Sequence, residues 1–576
     1  MLSLTPAGGR LVPRVMARTR LGWADAVVAA FLLAVVYGVT RIGRGMVLPE
    51  THSMLQGVSL SVGSLPTDAG LSLLRMLVAL VFSTIFAIGY GYLAARNRLA
   101  ERLLIPLLDI LQSVPVLGFL PIAVTAFAGL FPGSTLGLEF AAIFAIFTAQ
   151  AWNMAFSFYH SLTVLPRDLV EAASLYRLGT WQRFTQLELP AAMIPLVWNG
   201  MMSFGGSWFF LTASEAITVF HHSVYLPGIG SYLAVAVLRG QGGAIRDALV
   251  AMLVLIVLVD QVFWRPLVAW TDKFRLEQTV GIVQPTSFFL TLLRRSVLVG
   301  RLVTAVFLPF SAWLDRHLSA PPALEHRRPS PLSHAVGVGL IVALGLVTLR
   351  YTTLGVHLVV SVGTSGLERL FLDGLMTLAR VVAAVLLGAL WTVPAGVWIG
   401  SNPRVTRWVQ PIALMAASYP ANMVFPAVVG VYLAWHVPLS WGAVPLLMLG
   451  TQWYILFNVI AGAISLPTDL KEASRIFKLS GWERWRLFIL PGIFMPLVTG
   501  GITAAGGAWN ATILAELVRW GRTELVTPGL GSAIDQASGP ASLLSAIVMM
   551  SLMVVLLNRL VWRRLYALGE TKYHLE

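Results

Sequence analysis

Two carboxylates stand out first. Glu215 and Glu516 close long apolar stretches in the settings Ala213-Ser-Glu215 and Leu514-Ala-Glu516. An ionisable residue in such a place either belongs to a conduction path or is paired with a cation. Trp208, Ser214, Trp509 and Asn510 lie on the same stretches and could line that path with them, helix packing being the other reading. Two carboxylates would repel an anion, so a gate fits them better than anion coordination. His221 and His222 stand alone in a short loop, too few ligands for a metal site. With no Cys, no His-Glu-x-x-His and no nucleophile elbow, no catalytic or metal-binding residue is assigned. None of the four Lys residues (Lys273, Lys471, Lys478, Lys572) follows a Gly, so there is no phosphate-cradling P-loop.

The elements that hold these residues are membrane spans. Of 576 residues, 57% are hydrophobic and 11% charged, and the mean hydropathy is +0.78. A soluble domain carries about 25% charged residues, so a soluble enzyme is excluded. The net charge of +14 fits basic loops against anionic lipid headgroups better than nucleic acid. A bilayer core about 30 Å thick needs roughly 20 apolar residues per helix. That ruler gives about twelve spans: 24–40, 71–95, 103–131, 138–161, 191–219 and 244–268, then 335–356, 375–400, 409–435, 441–464, 492–518 and 543–561. The first run is read as a span and not as a cleaved leader. Arg10 to Arg20, Arg96 to Arg102, Arg167 to Arg183 and Arg563 to Lys572 place both termini in the cytoplasm by the positive-inside rule.

The chain also repeats itself. Pro166-Arg-Asp-Leu-Val-Glu-Ala-Ala reads against Pro467-Thr-Asp-Leu-Lys-Glu-Ala-Ser at an offset of 301, which also carries Trp208 onto Trp509, Glu215 onto Glu516 and Pro227-Gly-Ile-Gly onto Pro528-Gly-Leu-Gly. Upstream the offset is 305, matching Arg75 with Arg380, Pro115 with Pro420 and Pro121 with Pro426. The fold expected is all-α and polytopic, with two pseudo-symmetric six-helix halves (1–268 and 334–576) about an axis along the membrane normal. Residues 269–333, basic and Pro-rich, form a cytoplasmic or interfacial linker.

Between the fourth and fifth spans of each half lies a compact loop. It holds Asp168, Glu171, Ala172 and Gly179 in one half and Asp469, Glu472, Ala473 and Ser480 in the other. Each reads as a short helix opened by an acidic cap, with a small face that lets a partner approach closely and a turn near Gly179 or Ser480–Gly481. Such a unit, present once per half, suits docking into two equivalent grooves.

These loops resemble the EAA motif of the membrane subunits of binding-protein-dependent ATP-binding-cassette importers. The Glu to Leu-Pro spacing is nineteen residues in both, and the Pro-Gly-x-Gly ends are most similar to the nitrate, sulfonate, taurine and bicarbonate permease branch. The family pattern places Gly six residues after the Glu, where this chain has Arg177 and Lys478. The resemblance implies a type I importer-like permease, two subunits fused, in a bacterial inner membrane. It implies two cytoplasmic ATPase subunits that dock at these loops and bind ATP and Mg, with no cofactor in this chain. It also implies a periplasmic or lipid-anchored solute-binding protein. A small anion is the substrate it suggests, with ferric iron or thiamine as the runner-up. A proton-driven secondary transporter and a membrane scaffold without flux remain the other classes.

Overall fold

Apolar runs of this length have one way to satisfy their backbone in a bilayer, and the chain takes it. The computed structural model describes residues 58–572 except 220–221, 275–286, 303, 306–307, 319–330 and 522, together with 23, 25–30 and 33. The first expected span and His221 fall largely or wholly outside the described residues.

In the first half, α1 (Leu65–Arg96) and α2 (Arg98–Ser113) are followed by α3 (Val116–Leu130), α4 (Leu136–Thr163) and the short α5 (Arg167–Leu175). A helical run over 180–188 then leads into α6 (Leu189–Glu215), the hairpin β1 (Ala216–Val219) and β2 (His222–Tyr225), α7 (Ile229–Leu238) and α8 (Gly242–Val259). Between the two repeats lie α9 (Phe288–Arg295) and α10 (Leu308–Leu318). The second half opens with α11 (Pro331–Ser361) and continues with α12 (Gly363–Ser401), α13 (Pro403–Ser418), α14 (Ala421–Trp435), α15 (Leu439–Ser465) and α16 (Thr468–Ile476). It continues with α17 (Leu490–Ala515), the hairpin β3 (Leu517–Trp520) and β4 (Thr523–Val526), α18 (Leu530–Asp535) and α19 (Pro540–Leu557), after which the chain stays helical to Lys572. The fold is all-α and polytopic, with two small antiparallel ribbons.

Three departures from the expected spans have physical causes. Among the described residues seven helices are long and apolar enough to cross a membrane, or eight if one bent pair counts as one span, so the count of twelve is not reached. The expected spans 103–131 and 409–435 are each broken where a residue precedes proline. Val114 and Tyr419 are extended (ψ 127° and 123°), because the ring of Pro115 or Pro420 disfavours the helical conformation before it. The second break bends the chain by 81°. The expected spans 191–219 and 492–518 stop as helices at Glu215 and Ala515, and the residues beyond, Ala216–Val219 and Leu517–Trp520, pair with His222–Tyr225 and Thr523–Val526 as ribbons.

The halves pack reciprocally: α3 lies against α17, and α14 against α6. One pseudo-symmetric contact is made twice with its chemistry exchanged. Asn422 Nδ2 of α14 donates to the Phe209 carbonyl (3.4 Å) and to Thr212 Oγ1 (2.9 Å). At the matching place the Leu117 amide of α3 donates to Asn510 Oδ1 (3.4 Å). The 27 residues of α6 span about 40 Å. Short helices α5 and α16 therefore lie at one end of the molecule and the two ribbons at the other.

Candidate functional site

At the first end, α5 and α16 have the same construction. Proline occupies both N-cap positions (Pro166, Pro467), so Asp168 and Asp469 are not caps and sit in the first helical turn, where the helix dipole still favours them. At the other end of α5, Leu178 N bonds the Ala173 carbonyl (3.1 Å) and Arg177 N the Ser174 carbonyl (3.0 Å). Leu479 and Lys478 do the same with Ser474 and Arg475. This is a Schellman turn, and its left-handed residue is Arg177 (φ 51°) or Lys478 (φ 50°), not Gly179 or Ser480. The chain thus keeps the turn that glycine would ease, with a side chain in a region costing roughly 1–2 kcal/mol. Asp168, Glu171, Asp469, Glu472 and Ser480 are exposed, Ala172 and Ala473 half-buried, and Gly179 buried.

Behind each unit the halves differ. Glu188, fully buried, pairs with Arg96 at the end of α1 and with Arg183 (Nε–Oε1 2.8 Å), and Tyr92 meets Phe184 edge-on at 5.4 Å. The matching positions in the second half are Ser401, Ile489, Val397 and Trp485, so isoleucine replaces the buried acid there while Arg484 still matches Arg183. Trp181 Nε1 also donates to Asp315 of α10 (2.9 Å), whereas Trp482 is 71% exposed.

At the ribbon end, Glu215 and Glu516 are sealed in (0% exposed) and paired with arginine. Arg75 Nη1 donates to Glu215 Oε1 (2.7 Å) and the Pro227 carbonyl (2.8 Å). Arg380 Nη1 repeats this with Glu516 Oε1 and the Pro528 carbonyl, both at 2.8 Å. Ser72 and Thr377 donate to the same carboxylates, and the Gly230 and Gly531 amides hold the second oxygens at 2.8 Å. A methyl group on Gly228 or Gly529 would lie 2.3 or 2.2 Å from the carboxylate, which is why Pro-Gly-x-Gly recurs with the Glu. The arginines, matched by the repeat at an offset of 305 and not the 301 of the acids, are not paired with Glu215 and Glu516 by sequence alone; the recurrence of one Arg and one Glu in each half was the available signal. In the first half Arg75 also takes Glu139 in a two-bonded fork (2.6 Å each), where the second half has Ser440.

Trp208, Ser214 and Trp509 are buried in helix packing, Ser214 Oγ donating to the Leu211 carbonyl (2.9 Å), while Asn510 stands at the half-to-half contact. Close by, a cavity of about 430 Å³ lies between the halves. It is lined from both sides, by Leu120, Thr212, Ile217 and Val237 and by Asn422, Phe425, Leu517 and Arg519 among others. The second ribbon reaches over it: Gly521 N donates to the Val237 carbonyl of the first half (3.0 Å). Among the described residues no cluster of His, Asp and Glu could hold a metal ion.

Residues 87–264 and 392–563 each match the family described as binding-protein-dependent transport system inner membrane component. The nitrate import permease protein NrtB of Leptolyngbya laminosa is 29% identical over 209 residues, 34% of this chain and 72% of that protein. The bicarbonate transport system permease protein CmpB of Synechococcus elongatus is 29% identical over 147 residues (25% and 50%). The glycine betaine/proline betaine transport system permease protein ProW of Escherichia coli is 26% identical over 180 residues (31% and 49%).

Proposed function

Because the chain belongs to the binding-protein-dependent transport system inner membrane components, represented twice along its length, we propose that it is the fused permease of an ATP-binding-cassette importer. Residues 1–268 and 334–576 are the two permease halves, joined by the linker 269–333, in a bacterial inner membrane with both termini cytoplasmic. Two ATPase subunits dock at α5 and α16, bind ATP and Mg, and drive alternating access. A periplasmic or lipid-anchored binding protein delivers the solute. The observation that carries this reading is the pair of identically turned short helices, exposed at one end of the molecule. The names of two relatives, nitrate and bicarbonate permeases, support a small anion.

In this mechanism the chain performs no bond chemistry. Its task is to convert motion at α5 and α16 into separation of the helices around the central cavity. The rigid Schellman turns transmit force because each short helix is fixed to the run that enters α6 or α17. The buried Arg–Glu pairs hold the far ends of those helices to α1 and α12, so that each half moves as one piece.

Copurification tests it. The chain drawn from native membranes is expected to bring an ATPase, and Glu171→Arg with Glu472→Arg to release it from a still-folded permease. Uptake driven by a proton gradient with no ATPase bound would move the secondary-transporter reading to the front.

A further inference from the structure

The cavity between the halves differs from what a small hydrated anion needs. Its 430 Å³ falls within the roughly 300–1,000 Å³ of sites that enclose organic ligands. Most of its wall is Leu, Ile, Val, Phe and Pro. A small inorganic ion stripped of water there would lose hydration with little in return, whereas hydrocarbon gains about 25 cal/mol for each Å² it buries. Among the described residues, only Arg519 and Asp535 bring formal charges to this wall. Arg519 stands on β3, its side chain 38% exposed, and its Nη2 meets Asp535 at 2.8 Å and Glu524 at 3.5 Å. The matching positions of the first half are Thr218 and Ala234, so this charge pair has no counterpart there.

We propose that the cavity takes an organic anion, with its apolar body against the walls and its single anionic head on Arg519, in competition with the Asp535 carboxylate. This deepens the importer reading and rests on it for its physiological meaning. Arg519 supplies a planar, permanently charged donor that suits a carboxylate or sulfonate head. Thr212 and Asn422, hydrogen-bonded to each other across the halves at 2.9 Å, offer polar groups without charge. Asp535 offsets the Arg519 charge at the cavity wall and sets the threshold an entering anion must pass.

The test is equilibrium dialysis of labelled benzenesulfonate against the full-length chain in nanodiscs of neutral lipid, with no ATPase present. Saturable binding is expected, displaced by unlabelled benzoate but not by nitrate, bicarbonate or neutral benzamide at equal concentration. Arg519→Gln should weaken it about tenfold or more, and Arg519→Lys should restore part of that loss. Asp535→Asn should tighten binding, since it removes the nearer of the two carboxylates that compete for Arg519, Glu524 at 3.5 Å being the other. A pair serving only to latch the ribbon predicts the opposite: weakened binding in Asp535→Asn, as in Arg519→Gln. That result, no saturable binding, or displacement by nitrate as effective as by benzoate would each overturn the proposal. Melting temperatures of the variants separate loss of the site from loss of the fold. An ATPase that still copurifies when binding fails would leave the importer reading standing.

Discussion

In the first half one buried arginine is gripped by two carboxylates, Glu139 and Glu215; in the second its counterpart, Arg380, faces Glu516 alone. Fully ionised, the first knot carries a surplus negative charge and the second is neutral. Yet the bonds common to both are the same: arginine Nη1 to the Glu and to the Pro carbonyl, a hydroxyl to the Glu, and a glycine amide to its other oxygen. The architecture therefore depends on hydrogen-bond directions that both halves keep, and the number of charges is free to vary around it. The joint behind α5 varies in the same way, centred on the buried Glu188 in one half and on Ile489 in the other, with an aromatic ring, Phe184 or Trp485, kept in both.

The largest effects should come from the knots. Arg75→Met strands two buried carboxylates and Arg380→Met strands one, so both should destabilise by about 3–5 kcal/mol, the first more. Thermal unfolding in detergent would check this, and equal losses would show that Glu139 contributes nothing. Adding Glu139→Gln to Arg75→Met should bring the two halves closer together. Glu188→Ala comes next, at roughly 1.5–3 kcal/mol for the lost charged contacts to Arg96 and Arg183, while Ile489→Val at the matching position should cost only about 0.5–1.5 kcal/mol. Gly228→Ala and Gly529→Ala meet the same obstacle in both halves and should lose about 1–3 kcal/mol each, with matched values. The smallest change has the opposite sign. Arg177→Gly and Lys478→Gly relieve a left-handed backbone and should stabilise by about 1 kcal/mol each, without releasing a copurified ATPase.

Much of this was legible in advance because the repeat preserves residue identity where geometry is strict. Proline before the short helices, glycine beside the buried Glu and the matched Arg75 and Arg380 are all visible as letters. What they do to each other is not: Arg75 and Glu215 lie 140 residues apart, and nothing local pairs them. Hydropathy also sees no difference between an apolar helix and an apolar ribbon, so β1 was absorbed into the span before it. The breaks at Val114 and Tyr419 were signalled only by the proline that follows each. The left-handed turns carry a charged residue where glycine would have announced them, and only the family's glycine position marks Arg177 and Lys478. The cavity, assembled from many elements of both halves, has no linear signature.

The exchanged contact between the halves has a genetic consequence. In a transporter made from two copies of one subunit, every substitution strikes two places at once, and each must tolerate it. Here Asn422 and Asn510 answer each other from unlike positions, with Leu117 and Phe209 opposite them contributing only backbone. A single change touches one of these contacts and leaves its mate unaltered. Joining two such halves in one chain lets the two sides of the cavity drift apart one mutation at a time, and a lone Arg519 could arise on one side without its mirror image.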